Sequence, residues 1–355
     1  MPSIVMAGGG TAGHTSPLLA TAEQLTGTIT CIGTAKGLET RVIPAAGLPL
    51  ELIPPVPLPR KLTPELFSVP LRLRDAVGQA ADILRAVSAD VVAGFGGYVS
   101  LPAYLAARKL KLPVVIHEQN AIPGLANRVA ARFAAKVAVT FAATKLPGAV
   151  HVGLPVRQAI ASLDRVAAQP RAREFFGLPV SGPVLLVSGG SQGARSLNRA
   201  TVAAAPALLR TGVSVLHVLG QNNFTADCVP IEGDNARYLP VAYVDGMENA
   251  YAAADLMLGR SGAGTVMETA MVGLPAIFVP LPHGNGEQAR NASFLIEAGA
   301  GLLVADADLT PELLAEQAAA LLGDPARLQR MSAKARELVP ADAAVRLARL
   351  IEAVI

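Results

Sequence analysis

The chain has 355 residues, 52% of them hydrophobic and 16% charged, with no tryptophan. That length suits two domains with separate cores, and the composition excludes a disordered or fibrous chain. A net charge of +3 gives no sign of nucleic acid as a partner, although a pI of about 9.0 leaves room for a local basic face.

Ile4 to Ala7 forms a short apolar strand that enters directly, without a charged leader and apolar core, so no signal peptide is expected. Gly8-Gly9-Gly10-Thr11-Ala12-Gly13-His14 follows, before a helix predicted from about Pro17 to Leu25. The spacing satisfies the dinucleotide fingerprint, which requires an acid at the end of the next strand to hold a ribose. That strand, Thr28 to Ile32, ends in Gly33-Thr34, so a nicotinamide enzyme is disfavoured. His14 either packs at the start of the helix or points at a ligand. Cys31 and Cys228 are far apart, and Cys31 lies in an apolar run, which fits a buried thiol in a reducing cytoplasm.

Arg60, Lys61, Arg72 and Arg74 are interleaved with Leu62, Leu66 and Phe67, among other apolar residues. This is either an ordinary loop leading into an amphipathic helix or a patch that lies on an anionic membrane surface. No apolar stretch reaches about 18 uninterrupted residues, so membrane contact is expected to be peripheral.

Asp90 to Phe95 is a strand closed by Gly96-Gly97-Tyr98-Val99-Ser100, with a helix from Pro102 to Lys109. Val114 to Ile116 leads into His117-Glu118-Gln119-Asn120. Four polar side chains at the carboxyl end of a strand belong in the crevice of an open α/β sheet, and a zinc-protease motif is excluded because position 121 is Ala. Two further strands, Lys136 to Thr140 and Val150 to Val152, precede Gly153-Leu154-Pro155-Val156-Arg157 and an Ala-rich linker and lead-in helix from Ala159 to Arg173.

The second half restarts the first. Pro183 to Val187 runs into Ser188-Gly189-Gly190-Ser191-Gln192-Gly193-Ala194-Arg195, and the next strand, Val213 to Leu219, again ends without an acid. Asp255 to Pro280 reads as strand, turn, helix and strand, with Ser261 as expected N-cap and Gly262 and Gly264 baring backbone N–H groups to a phosphate or pyrophosphate. Glu268, two turns in, is either an exposed helical Glu or an acceptor for ribose hydroxyls. A helix from Ala289 to Ala298 follows. Asp306-Ala-Asp308 is assigned to turn and capping duty before Thr310-Pro311, and no metal-ligand spacing occurs. A final amphipathic helix covers about Asp342 to Ile355.

Five of these segments, Gly8 to His14, Gly96 to Ser100, His117 to Asn120, Ser188 to Arg195 and Arg260 to Pro275, resemble in order those of the B-fold glycosyltransferases. More narrowly, they resemble the peptidoglycan enzymes that add N-acetylglucosamine (GlcNAc) to undecaprenyl-pyrophosphoryl-N-acetylmuramyl-pentapeptide, lipid I. The resemblance implies an α/β chain of two Rossmann-like domains facing across a cleft. It implies an acceptor and membrane domain at 1–156, a UDP-GlcNAc domain at 157–338, and a helix at 339–355 returning to the first.

It implies His14 as general base with Glu118 in reserve, and acceptor loops at Gly10, Thr11, Gly13, His14 and Tyr98. Donor contacts are implied at Thr11, Gly13, Asn120, Arg157, Ser191, Gln192, Val244, Ser261, Ala263, Gly264, Thr265, Glu268 and Gln288. Ala12, Leu154 and Glu287 depart from the family pattern. The implied function is metal-free, inverting GlcNAc transfer to lipid I at the cytoplasmic face of the plasma membrane, with cell-wall synthesis proteins as possible partners. A related transferase acting on another lipid, a UDP-GlcNAc epimerase and a non-catalytic nucleotide-sugar binder remain open alternatives.

Overall fold

The computed structural model describes residues 1–56 and 68–355. The chain divides into two compact units, Met1–Arg157 with Asp342–Ile355, and Gln158–Ala341. The changes of unit fall at 157/158 and 341/342, beside the expected 156/157 and 338/339.

Unit 1 alternates strands and helices: β1 (Ser3–Ala7), α1 (Ala12–Ala22), β2 (Thr28–Gly33), α2 (Glu39–Ala45), β3 (Leu50–Leu52), α3 (Val69–Ala86), β4 (Val91–Gly94), α4 (Ser100–Lys109), β5 (Val114–Glu118), α5 (Leu125–Ala130), β6 (Lys136–Val139) and β7 (Ala149–His151). The strands form one parallel sheet in the order β3-β2-β1-β4-β5-β6-β7. Such a sheet is covered on both faces, which is why β1, β4 and β5 read as unbroken apolar runs. The strand order reverses between β1 and β4, and loops at such a switch point form the ligand crevice of an open α/β sheet. The glycine runs after β1 and β4 occupy that position.

Unit 2 contains α6 (Gln158–Ala161), α7 (Arg165–Phe175), β8 (Val184–Ser188), α8 (Arg195–Arg210), β9 (Ser214–Val218), β10 (Ile231–Glu232), β11 (Arg237–Val241), α9 (Met247–Ala253), β12 (Leu256–Gly259), α10 (Ala263–Val272), β13 (Ala276–Phe278), α11 (Glu287–Glu297), β14 (Gly301–Leu303), α12 (Pro311–Leu322) and α13 (Pro325–Glu337). Its sheet runs β10-β11-β9-β8-β12-β13-β14 and is parallel except for the short edge strand β10. The switch lies between β8 and β12, again next to two glycine-rich turns. The last helix, α14 (Ala343–Glu352), belongs to unit 1, where Leu347 and Ile351 are buried with Ile4 and Leu18.

Several elements differ from the sequence-based expectation. Helix α1 begins at Ala12 rather than Pro17, so His14 stands in its first turn; Pro17 lies inside the helix and is buried. Proline lacks an N–H, but that close to the helix start it forfeits a single intrahelical bond. The segment from Ala159 to Arg173, expected as linker and lead-in helix, lies wholly within unit 2. Helix α7 is capped by Asp164 and packs on α9, and buried Arg173 binds Asp255 at 2.8 Å as well as the carbonyls of Ala253, Val180 and Gly182. Helix α11 starts at Glu287, two residues before the expected Ala289.

Two buried histidines make the fold sensitive to acid. His117 of β5 and His217 of β9 are each held by burial near a pKa of about 4, below the ordinary value of 6.5. The unfolded chain therefore takes up their protons first. Their contribution is complete above pH 6.5 and is lost as pH falls toward 4, at about 1.4 kcal/mol per pH unit for each histidine. The melting temperature is expected to fall between pH 6.5 and pH 5 by several degrees; an unchanged value over that interval would contradict this assignment.

Candidate active site

In unit 1 a candidate site is assembled from four chain segments. The Gly8–Thr11 turn ends β1, and Thr11 caps α1 through its backbone conformation without a side-chain hydrogen bond. Half-buried His14 lies 3.2 Å from Thr11 Oγ1 through Nδ1. Its ring packs on the Gly96-Gly97 turn, whose residues both have a φ of +81°, and a Cβ on Gly97 would stand 3.5 Å from His14 Nδ1. Ser100, fully buried, fastens that turn by donating to the carbonyls of Gly96 and Ala7. Tyr98 sits against Gly10, where a Cβ would meet its ring at 3.3 Å. Burial pushes the His14 pKa below its ordinary value, while the Gly9 carbonyl and the Glu39 charge act in the opposite direction. The imidazole is thus neutral near pH 7.

Glu118, the reserve base expected from the sequence, is buried at the end of β5. It is 2% exposed and accepts from the Asn120 and Gly124 N–H groups and from Asn127 Nδ2, at 2.9, 3.0 and 2.9 Å. These three bonds let the carboxylate order the β5–α5 loop. Asn127 also accepts from the Tyr104 hydroxyl and donates to the His117 carbonyl. His117 in turn lies 2.9 Å from the Gly153 carbonyl through Nε2. Asn120 and Arg157 are half-buried at the ends of this network. Leu154, at the position where the family pattern has a polar residue, is 3% exposed and serves packing.

In unit 2 the turn after β8 presents exposed Ser191 and Gln192 ahead of α8, which opens without a side-chain cap. Helix α10 also opens uncapped. Its N-cap is Gly262 rather than Ser261, because Ser261 is fully buried with its Oγ lacking a protein partner. A Cβ added to Gly262 or Gly264 would meet nothing within 4 Å. The protein's own packing therefore does not require glycine there, and the bare N–H groups at the positive end of α10 are open to an anion.

Ala263 is buried and Thr265 half-buried in the first turn of α10, and Val244 is 6% exposed before α9. Half-buried Glu268 accepts from the Tyr251 hydroxyl at 2.7 Å. Gln288 Oε1 accepts from the Leu281 N–H at 2.9 Å, which folds the β13–α11 loop toward α11.

The Asp306 assignment also changes: Thr310, not Asp306 or Asp308, caps α12. Asp306 pairs with Arg260 at 2.5 Å and accepts from Ser196 Oγ at 2.6 Å. Arg260 additionally donates to Ser196 Oγ and to the Val279 and Pro280 carbonyls. This guanidinium ties together the turns after β8, β12, β13 and β14, and with them the segments bearing Ser191, Ser261 and Gln288.

Comparison with known proteins gives this arrangement a family. Residues 4–139 match the glycosyltransferase family 28 N-terminal domain, and residues 184–347 match its C-terminal domain. The chain belongs to glycosyltransferase family 28. Among curated family 28 relatives is the UDP-N-acetylglucosamine–N-acetylmuramyl-(pentapeptide) pyrophosphoryl-undecaprenol N-acetylglucosamine transferase of Cutibacterium acnes, 58% identical over 99% of this chain and 98% of its own. The protein of the same name from Streptomyces coelicolor is 52% identical over 96% of this chain and 94% of its own. The crystal structure of Acinetobacter baumannii MurG superimposes with a TM-score of 0.75 at 30% identity, covering 99% of this chain and 100% of that one. The calicheamicin glycosyltransferase CalG4, at 18% identity and a TM-score of 0.69, shares the fold. The fold is the two-domain glycosyltransferase B fold.

Within this family 28 chain, the sequence reading missed Glu39, Arg260 and Tyr251. Each acts on a group far away in sequence, and no local motif announces such partners. The membrane-patch residues Arg60, Lys61, Leu62, Leu66 and Phe67 lie outside the described residues.

Proposed function

We propose that the chain transfers GlcNAc from UDP-GlcNAc to the 4-hydroxyl of the N-acetylmuramyl residue of lipid I, making a β-1,4 bond. The activity named for the full-length relatives identifies donor and acceptor. The observation that carries the chemistry is the placement of the His14 imidazole on the Gly96-Gly97 turn beside Thr11.

In the tautomer with the proton on Nδ1, facing Thr11 Oγ1 at 3.2 Å, Nε2 carries the lone pair. Nε2 takes the proton of the acceptor hydroxyl as that oxygen bonds to the anomeric carbon. The bond from that carbon to the diphosphate breaks on the opposite side, which inverts the configuration, and UDP leaves with the electron pair. The growing negative charge is met in unit 2 by the N-termini of α8 and α10, and Arg157 is the cation that unit 1 offers to it. Glu268 holds the ribose hydroxyls, Gln288 the sugar, and the Val244 segment the uracil. Unit 1 presents the acceptor and unit 2 binds the donor. Competition between a lipid I analogue and diacylglycerol for labelled GlcNAc tests the acceptor assignment; preferential labelling of diacylglycerol would sink it.

The acceptor is lipid-linked, so the enzyme works as a peripheral protein at the cytoplasmic face of the membrane. Among the described residues no helix is long and apolar enough to cross a membrane. Leu71, 65% exposed, and exposed Arg74 stand in the first turns of α3, next to the basic and apolar run in the sequence. A variant combining Leu71→Ser with Arg74→Glu is expected to bind phosphatidylglycerol-containing vesicles about tenfold more weakly, as lost apolar contact and charge reversal imply. Unchanged co-sedimentation would assign membrane contact to another surface.

A further inference from the structure

A buried carboxylate lies beneath the first glycine turn. Glu39, the first residue of α2, is fully buried and accepts from the Gly10 N–H at 2.8 Å, the Thr34 N–H at 3.0 Å and Thr34 Oγ1 at 2.9 Å. Three glycines make room for it. A Cβ on Gly37 would stand 1.9 Å from its Oε2, one on Gly9 2.5 Å from Oε1, and one on Gly33 2.6 Å from Cγ. Such distances are far inside van der Waals contact, so the turn after β1, the end of β2 and the start of α2 are all shaped around this one side chain. Among the described residues, no Lys or Arg forms an ion pair with it. Burying a carboxylate with amide and hydroxyl donors but no cation is costly.

What this charge faces is the His14 site. The elements packed around His14 contribute Thr11 from its own helix, the Gly9 carbonyl, the Gly96-Gly97 turn and the side chain of Asn127. The titratable groups of this neighbourhood are Glu39, Tyr98 against Gly10, and Glu118 behind Asn127. Of these, Glu39 holds the Gly10 N–H of the turn that leads directly into the helix bearing His14, and its negative charge raises the His14 pKa.

We propose that Glu39 is a positioning residue for the transfer reaction: it fixes the Gly8–Thr11 turn through the Gly10 N–H and sets a negative charge against His14. That charge favours the imidazolium created when the acceptor hydroxyl gives up its proton. The proposal rests on His14 being the base. It divides the work at this site between burial, which keeps the ring neutral before reaction, and Glu39, which stabilises its protonated form afterwards.

The test is Glu39→Gln, which keeps shape and removes charge, with folding checked by thermal melting. The C2 protons of the five histidines are followed by NMR as pH is varied, with His14→Gln assigning the His14 signal. The His14 titration is expected to move to lower pH in Glu39→Gln. The acid limb of kcat should move the same way, with kcat reduced about tenfold, a fraction of what a general base contributes, and KM for UDP-GlcNAc nearly unchanged. Glu39→Asp, which withdraws the charge by one methylene, should give a smaller shift of the same sign and serves where Glu39→Gln does not fold. An unshifted His14 titration in a folded variant overturns the proposal. A shifted titration together with full turnover in His14→Ala instead overturns the assignment of His14 as base.

Discussion

Replacing His14 with alanine lowers kcat for GlcNAc transfer by about two to four orders of magnitude, the range that a positioned general base contributes, and leaves UDP affinity nearly unchanged. The reason is local. His14 touches Thr11 and the Gly96-Gly97 turn in unit 1, whereas the uncapped α10 terminus and Glu268 belong to unit 2. Loss of the ring thus removes the proton acceptor without altering the groups assigned to the nucleotide. The pH dependence follows from the lowered pKa of His14. The base form persists below pH 6.5, so the acid limb of kcat lies on the acidic side of an ordinary histidine. Calorimetry with UDP and single-turnover transfer measure the two quantities separately. Turnover within a few-fold of wild type would mean that another group takes the proton.

Glu268→Ala is expected to raise KM for UDP-GlcNAc by about 10²-fold while kcat stays within a few-fold. A carboxylate accepting from two ribose hydroxyls forms charge-assisted hydrogen bonds of roughly 1.5–3 kcal/mol each, and losing them while solvent partly compensates gives that magnitude. The ribose is remote from the reacting carbon, so its binding energy is the same in ground and transition states and appears in KM. Glu268 also accepts from Tyr251 at 2.7 Å. Tyr251→Phe separates the roles: it keeps the carboxylate and loses its orienting hydroxyl, and should raise KM by less. Equal effects of both substitutions would make Glu268 a structural partner of α9 instead of a ribose ligand.

These residues also mark the limit of what local pattern conveys. The alternation of apolar strands with glycine turns revealed two restarted α/β halves, because a fully covered parallel strand leaves an apolar run and a phosphate-binding turn needs glycine. His14 and Glu268 stand beside such turns, which leaves each between a packing and a ligand role; the family resemblance decides for a ligand role, and it alone points to Gln288. The α1 boundary was misplaced because Pro17 reads as a helix start, and the Ala-rich segment after Arg157, read as linker and lead-in helix, gives no local sign that Arg173 reaches Asp255 across 82 positions. Glu39 contacts Gly10 from 29 residues away, and Asp306 binds Arg260 from 46. A carboxylate among polar neighbours looks like a capping or turn residue until the fold brings its distant partner to it. The supporting groups of this site are therefore visible in three dimensions and hidden in one.

The most direct test of the account is transfer of labelled GlcNAc from UDP-GlcNAc to a short-chain lipid I analogue, with EDTA present throughout and the product linkage read by NMR. The account predicts a labelled disaccharide lipid with a β-1,4 bond and one UDP released per GlcNAc transferred. UDP-GlcNAc binding without transfer, or a product with retained α configuration, would contradict it.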